Sequence, residues 1–300
     1  MKQLPKLLIT GASGFTGRHA CSHFSKAGFE VTAVTRNHAI KDQVQIEQCN
    51  LAVKDAVRRL VKKVKPQYLL HLAGQNHVGQ SWLDPVSSLE ANTMSTLYLI
   101  DALRQESPAC KIVVVGSALQ FDLQNISTLT HPYSLSKTLQ VLIAKSWERL
   151  YNMHIVIAKP TNLIGPGFSN GVCSIFAKKI ADMELSKSEK VLEVNNLYAQ
   201  HDFVDVRDAV IAYETLLMKG ISGETYEIAS GTSRSLKEII DGFKAITKVG
   251  FEVKSQPNNQ IGQPIEILPL KLMELGWKPT IPLESSLKDI LNFYHRNKRV

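Results

Sequence analysis

One stretch, Lys6 to Gly17 (KLLITGASGFTG), constrains the fold of this chain more than any other. An apolar run from Leu7 to Thr10 leads into glycines at 11, 14 and 17, after which His19, Ala20, His23 and Phe24 continue at helical spacing. The pattern reads as a strand, a tight turn and the start of a helix. Where such a turn carries a dinucleotide, Gly11 ends the strand in a conformation that a side chain resists, Gly14 lets the backbone approach a pyrophosphate, and Gly17 lets helix and strand pack closely. The free N–H groups at the start of the helix, around Ser13, Phe15 and Thr16, then face the phosphates. Glycines between a strand and a helix also make ordinary loops. What favours the dinucleotide here is that the motif follows directly on a strand.

Beyond the turn, strand and helix patterns alternate. Glu30 to Thr35 reads as a second strand, followed at once by Arg36. The end of this strand lies beside the adenosine ribose, where an arginine accommodates a 2′-phosphate, so Arg36 favours NADP over NAD, although a solvated surface arginine would look the same. Val44 to Cys49 is a third strand, with Asn50 and Leu51 after it, and a charged helix spans Val53 to Val64. Tyr68 to Leu72 is a fourth strand whose end, His71-Leu72-Ala73-Gly74, leaves room for the cofactor. A helix with a leucine-rich stripe runs from Ser87 to Arg104, and a fifth strand, Lys111 to Val115, ends at Gly116-Ser117. After a polar stretch come a long helix from Tyr133 to about Tyr151 and a sixth strand, Ile155 to Ala158, closed by Lys159-Pro160.

This alternation predicts an α/β fold, a Rossmann-type doubly wound parallel sheet with a smaller C-terminal α/β substrate lobe. The expected division is a dinucleotide-binding domain over 1–166, with a return segment near 201–219, and a substrate lobe over 167–300. In that lobe the pattern places helices at Val172 to Met183, Leu236 to Thr247 and Glu284 to Asn297, and His201 to Val206 leads into a helix through Met218.

The net charge of +8 raises nucleic acid as a partner, but the lysines are spread along the chain without an arginine-rich stripe and interleaved aromatics. An anionic small molecule, such as a phosphorylated cofactor or a nucleotide substrate, accounts for the surplus instead. No apolar run approaches the roughly 18 residues of a membrane span, and the N-terminus lacks the apolar core of a signal peptide, so a cytoplasmic protein with no membrane partner is expected. Cys21, Cys49, Cys110 and Cys173 are scattered without metal-ligand spacing, and His71, His77, His131 and His201 form no such pattern either. Reduced thiols and no metal are expected.

Tyr133 and Lys137 are four residues apart and share one face of their helix. A tyrosine titrates near pH 10, and a neighbouring ammonium favours its phenolate, so the pair can exchange a proton with a substrate oxygen. Ser117, at the end of the fifth strand, can hydrogen-bond the same oxygen and hold it. Alone, the spacing also fits a surface pair on an amphipathic helix. Asp122, Asp202 and Asp205 fit loops or helix starts better than catalytic acids, since no carboxylates are paired.

Taken together these motifs resemble the extended short-chain dehydrogenase/reductase family across nearly the whole chain. The carriers are T-G-A-S-G-F-T-G (Thr10 to Gly17), H-L-A-G (His71 to Gly74), the Asn92 region, Gly116-Ser117, Y-S-L-S-K (Tyr133 to Lys137), K-P-T-N-L-I-G-P-G (Lys159 to Gly167) and H-D-F-V-D-V-R-D (His201 to Asp208). S-W-L-D-P (Ser81 to Pro85) and the ending G-W-K-P-T-I-P-L-E-S-S-L (Gly276 to Leu287) look most like the branch of GDP-4-keto-6-deoxy-mannose reductases and GDP-mannose 4,6-dehydratases.

The resemblance implies a catalytic triad of Ser117, Tyr133 and Lys137, with Lys137 also on the nicotinamide ribose. It implies cofactor contacts at Gly11, Ser13, Gly14, Phe15, Thr16, Gly17, Arg36, Asn50, Leu51, Leu72, Ala73, Gly74, Pro160 and Asn162. Substrate contacts are implied at His77, Ser117, Ala118, Leu119, Asn162, Val172 and His201, with Trp82 beside them, and a homodimer through the helices at 87–104 and 133–151.

Four positions depart from the pattern. The dehydratases carry a glutamate two residues after the catalytic hydroxyl, where this chain has Leu119, and an alkyl chain accepts no proton. His201 stands for an arginine, Asn50 for an aspartate near the adenine, and the loop Gln256 to Gln263 lacks the arginines expected on a diphosphate. The expected activity is therefore reduction of a nucleotide-linked 4-keto-6-deoxyhexose with NADP. The alternatives are a nucleotide-sugar epimerase that retains NAD and a non-catalytic protein that senses a dinucleotide.

Overall fold

The strand ends, more than the strands themselves, position the site, and the strand order explains why. The computed structural model describes residues 4–36, 44–185, 188–255, 262–264 and 266–298; six residues of the loop Gln256 to Gln263 lie outside them. The chain forms two compact units, one of residues 1–159 and 210–226, the other of 160–209 and 227–300.

In the first unit come β1 (Lys6–Thr10), α1 (Phe15–Lys26), β2 (Glu30–Thr35), β3 (Gln45–Gln48), α2 (Lys54–Val64), β4 (Tyr68–His71), α3 (Val78–Leu83), α4 (Pro85–Leu89), α5 (Ser95–Glu106), β5 (Lys111–Val115), α6 (Pro132–Tyr151) and β6 (Ile155–Pro160). A seven-stranded sheet has the order β10-β6-β5-β4-β1-β2-β3, where β10 is Thr225–Ile228. β3, β2, β1, β4, β5 and β6 pair in parallel. Leu8, Leu69, Ile112 and Ile155 join one core with residues of α2, α5 and α6. Their alternates Leu7, Ile9, Leu70, Val113 and Val156 are also buried. Burial on both faces is why the strands read as continuous apolar runs. α1 packs on β1 and β2, and its His23 Nε2 lies 2.6 Å from the Glu214 carboxylate of α8 (Val206–Lys219).

Strand order reverses at β1, since β2 lies to one side and β4 to the other. In open α/β sheets that reversal opens a crevice outside the carboxyl ends of the strands. Gly11 follows β1 with φ of +68°, and a Cβ there would stand 2.7 Å from the Ala73 backbone nitrogen beyond β4. A Cβ on Gly17 would stand 2.2 Å from the Gly11 carbonyl oxygen and 2.6 Å from Ala12 Cα. Gly14 has an ordinary φ of −73°, and its Cβ would meet only the Gly11 oxygen at 3.2 Å.

The second unit holds β7 (Asn162–Ile164), α7 (Val172–Glu184), β8 (Val191–Val194), β9 (Gln200–Asp205), β11 (Ser233–Ser235), α9 (Leu236–Ile246), β12 (Glu252–Ser255), α10 (Leu270–Glu274) and α11 (Leu283–Lys298). β9 pairs with β7 in parallel and with β11 in antiparallel, and β8 pairs with β12. Its core gathers Phe176, Ile180, Phe203, Ile239, Phe243, Ile290 and Tyr294 from α7, β9, α9 and α11.

The segment His201 to Asp208 is the frame of this unit. Asp202 accepts hydrogen bonds from Thr161 Oγ1, Ser230 N, Ser230 Oγ and Thr232 N. Asp205 accepts from Arg207 Nε at 2.9 Å, Arg207 Nη2 at 2.8 Å and Ser286 Oγ at 2.6 Å. Burial alone would raise the Asp205 carboxyl, but the bonds from Arg207 and Ser286 outweigh it and hold the group below the usual carboxylate range. Asp208 accepts from Thr280 N, Thr280 Oγ1 and Ile281 N.

One expectation holds with an addition, and two differ. His201 to Asp205 leads into a helix as expected, α8 following at Val206, and is itself strand β9 of a small sheet, paired on both sides. The first unit closes at Lys159, and its returning segment is 210–226, since Asn162–Ile164 leaves the large sheet to pair with β9. The helix expected over 87–104 is α4 and α5 joined by a π-helical segment, Glu90–Met94, where Asn92 turns inward to polar partners that periodicity cannot reveal.

Gly17→Ala is therefore expected to destabilise the protein by about 1–3 kcal/mol, the usual effect of forcing a methylene into filled space, and Gly14→Ala by clearly less. Urea unfolding of the two variants checks this; equal losses would mean that helix and turn do not meet as closely as described.

Candidate active site

The site is built on the ends of β1, β4 and β5 and on one face of α6. Apolar β5 ends at Val115, and Gly116 and Ser117 follow. Ser117 Oγ accepts a hydrogen bond from Leu119 N at 3.1 Å, which fixes the hydroxyl, and Ser117 acts on the Tyr133 phenol to lower its pKa in part. Pro132 at the first position of α6 and the His131 side chain, accepting from Ser134 N at 2.9 Å, start that helix. Burial lowers the His131 pKa, which keeps its ring a neutral acceptor. Tyr133 N donates to Ser81 Oγ at 3.1 Å.

Tyr133 and Lys137 are both buried, one turn apart. Burial raises the Tyr133 pKa and the Ser117 bond lowers it in part, so the phenol carries its proton at neutral pH. Lys137 Nζ donates to the Val115 carbonyl at 2.6 Å, and burial pulls its pKa down to about 7. The expected depression of the tyrosine by the lysine is thus corrected. The ammonium is turned to the end of β5, and the Tyr133 phenol is raised by burial, with Ser117 offsetting part of the rise.

A buried polar chain supports this face. Thr10 Oγ1 lies 2.7 Å from His71 Nδ1, and His71 Nε2 lies 2.7 Å from Thr96 Oγ1. Thr96 Oγ1 donates to the Asn92 carbonyl, so it accepts from Nε2–H, which leaves Nδ1 to accept from Thr10. Burial, and then the Lys137 charge, hold the His71 pKa down to about 3. The Asn92 amide bridges Gln75 N at 2.7 Å and Ser136 Oγ at 2.8 Å, joining the end of β4 to the tyrosine helix. Thr10, Ser81 and Asn92 enter the sequence reading only as parts of motifs, without these roles, and Thr96 does not enter it. An asparagine inside a leucine-rich helix was their one visible signal.

The glycine turn fits a dinucleotide phosphate. The N-cap of α1 is Gly14, which makes no side-chain capping bond, and the first turn holds no acidic residue. Its N–H groups are free of a competing carboxylate, and the helix end favours an anion. The described residues hold no cluster of three or more His, Cys, Asp or Glu able to bind a metal.

The first unit thus carries Gly11, Ser13, Gly14, Phe15, Thr16 and Gly17 at the turn, Leu72, Ala73 and Gly74 after β4, exposed Arg36 after β2, and exposed Asn50 with buried Leu51 after β3. It also carries Ser117, Ala118, exposed Leu119 and exposed His77. Its Trp82 is 63% exposed. Pro160, Asn162, Val172 and His201 belong to the second unit, where Asn162 Nδ2 donates to the Asp202 carbonyl and burial lowers the His201 pKa.

Comparison with known proteins agrees in extent. The model of the NAD dependent epimerase/dehydratase family matches residues 7–229. A GDP-6-deoxy-D-mannose reductase of Pseudomonas aeruginosa is 27% identical over 98% of each chain. A dTDP-glucose 4,6-dehydratase of Escherichia coli is 23% identical over 98% of this chain and 94% of its own. The solved structure of RMD from Pseudomonas aeruginosa complexed with NADPH superposes with a TM-score of 0.85 at 26% identity, covering 98% of this chain and 99% of that one.

His71 makes an acid-sensitive element. Its folded pKa of about 3 lies below the ordinary 6.5, so between those values the unfolded chain binds a proton that the folded one refuses. Its contribution to stability is present above pH 6.5 and is lost as the pH falls toward 3. The urea midpoint is expected to fall between pH 7 and pH 4, and to fall less in His71→Gln, which does not titrate. Parallel curves for the two proteins would contradict the assignment.

Proposed function

The chain belongs to the NAD dependent epimerase/dehydratase family and is an enzyme of it, and we propose that it is an NADP-dependent reductase of a nucleotide-linked 4-keto-6-deoxyhexose. The observation that carries this reading is the set at the end of β5 and on α6, with Ser117 Oγ fixed by Leu119 N, buried Tyr133 and Lys137 one turn apart, Lys137 Nζ on the Val115 carbonyl, and Leu119 two residues beyond Ser117. A protonated phenol can give its proton to an alkoxide forming at C4, and Ser117 holds that oxygen in place. Leu119 offers no carboxylate to remove a proton from C5, which argues for simple reduction over dehydration. Likeness to a reductase along 98% of each chain supports the same choice.

A bound nicotinamide supplies the hydride. Gly11, Ser13, Gly14, Phe15, Thr16 and Gly17 hold the pyrophosphate, Arg36 meets the 2′-phosphate, and Asn50 and Leu51 flank the adenine. Leu72, Ala73, Gly74, Pro160 and Asn162 line the rest of the dinucleotide. Lys137 anchors the nicotinamide ribose, and its nearness to neutrality lets it pass a proton back to Tyr133 after each turnover. His77, Ala118, Leu119, Asn162, Val172 and His201 receive the sugar nucleotide. We further propose a cytoplasmic homodimer through the α5 and α6 helices; Leu142, Leu150 and Tyr151 on α6 are exposed.

A nucleotide-sugar epimerase with NAD is the second reading, supported by a Methanocaldococcus jannaschii relative named as a UDP-glucose 4-epimerase, 25% identical over 98% of this chain and 99% of its own. Cofactor balance separates the two. One NADPH is expected to be consumed per 4-keto sugar nucleotide reduced, and conversion without net cofactor change would establish the epimerase instead. Tyr133→Phe is expected to lower kcat by about 10²–10⁴ while NADPH binding, followed by fluorescence, persists. Full activity in that variant would remove Tyr133 as proton donor.

A further inference from the structure

The first turn of α6 leaves one backbone donor without a partner of its own. Pro132 has no N–H, and Ser134 N is taken by His131, through the ring at 2.9 Å and the carbonyl at 3.0 Å. What remains is the N–H of Tyr133, the residue assigned above as proton donor. Its partner comes from 52 residues away, where Ser81 Oγ accepts it at 3.1 Å.

Ser81 is the fourth residue of α3. Its own proton goes to the Val78 carbonyl at 2.7 Å, which leaves an oxygen lone pair for Tyr133 N. Ser81 and Tyr133 are both buried, so the bond has no solvent competitor. α3 packs against α4 and α6, and its N-terminus is held by the His77 ring, whose Nδ1 accepts from Gln80 N at 3.0 Å. The helix is short, and its Trp82 and Leu83 are 63% and 80% exposed. Little apolar packing holds it to α6, and the Ser81 bond carries much of that tie. The Tyr133 ring in turn lies stacked on His131, with centroids 5.9 Å apart and planes 29° apart. A shift of the Tyr133 backbone therefore carries ring and hydroxyl with it.

We propose that Ser81 is a positioning residue for the reaction: acting through the Tyr133 N–H, it fixes the place from which the phenol meets the substrate oxygen, and so makes α3 part of the catalytic apparatus. This rests on the reading of Tyr133 as proton donor. Proton transfer is sensitive to place, and a shift of about 1 Å can lower a rate on the order of a hundredfold. The glycine turn after β1 lies on other elements, and dinucleotide binding there does not depend on this bond.

The test compares Ser81→Ala, which removes the acceptor, with Ser81→Cys, which fills the space with a much weaker one. NADPH binding, read by fluorescence, counts folded sites. NADPH oxidation with GDP-4-keto-6-deoxymannose as the probe, in light and in heavy water, gives kcat and its solvent isotope effect. Ser81→Ala is expected to lower kcat per NADPH-binding site by about 10–100-fold and Ser81→Cys by about fivefold or more. KM for the probe is expected to stay within about threefold of native, and the solvent isotope effect to grow in both variants as proton transfer becomes slower. If Ser81→Ala binds no NADPH, Ser81→Cys alone decides. Native kcat per binding site with only a lower urea midpoint would make the bond purely structural and overturn the inference, as would a fall in kcat with an unchanged isotope effect. Either result leaves the reductase reading in place. A native protein that oxidises no NADPH with the probe overturns that reading, and the inference with it.

Discussion

The first unit depends on a close approach of two backbones. Where β1 and β4 end side by side, Gly11 and Ala73 stand too near for a Cβ on the first, and Gly17 brings α1 against the same turn. Few residues can occupy that space, because backbone atoms cannot swing aside as a side chain does. The reversal of strand order opens a crevice at this place. An uncapped helix end opens into it, a combination suited to an anion.

From that contact a polar chain runs inward through Thr10, His71, Thr96 and Asn92 to Ser136 on the tyrosine helix. Each member has its hydrogen bonds accounted for, which is what permits such groups in a core otherwise made of leucine, isoleucine and valine. The π-helical segment at Glu90–Met94 belongs to the same arrangement, since it brings Asn92 to Gln75 and Ser136 together. The protonation states follow from burial. His71 stays neutral, Tyr133 keeps its proton, and Lys137 is drawn toward neutrality with the β5 carbonyl as its partner. A donor phenol beside a fixed serine hydroxyl is the chemical outcome.

In the second unit, carboxylates do structural work. Asp202, Asp205 and Asp208 each collect several donors from segments distant in sequence, including the Ser230–Thr232 turn, Ser286 and Thr280–Ile281. A hydrogen-bonded carboxylate can order loops that have little apolar surface of their own.

Local order along the chain was enough to read the glycine turn, the parallel strand and helix alternation, the Tyr133–Lys137 face and the serine at the end of β5. These are properties of spacing, and spacing is what a sequence carries. The strand role of Gln200–Asp205, the π segment at Asn92, the tautomer of His71 and the direction of the Lys137 ammonium were decided only when distant segments met. Each depends on a partner, such as a Val115 carbonyl or a Thr96 hydroxyl, that lies far along the chain or in the backbone itself. Desolvation follows the same rule. Nothing in the letters Tyr-Ser-Leu-Ser-Lys says that the phenol is held up by burial while the lysine is pulled down, because burial is a property of the packed fold and not of its residues.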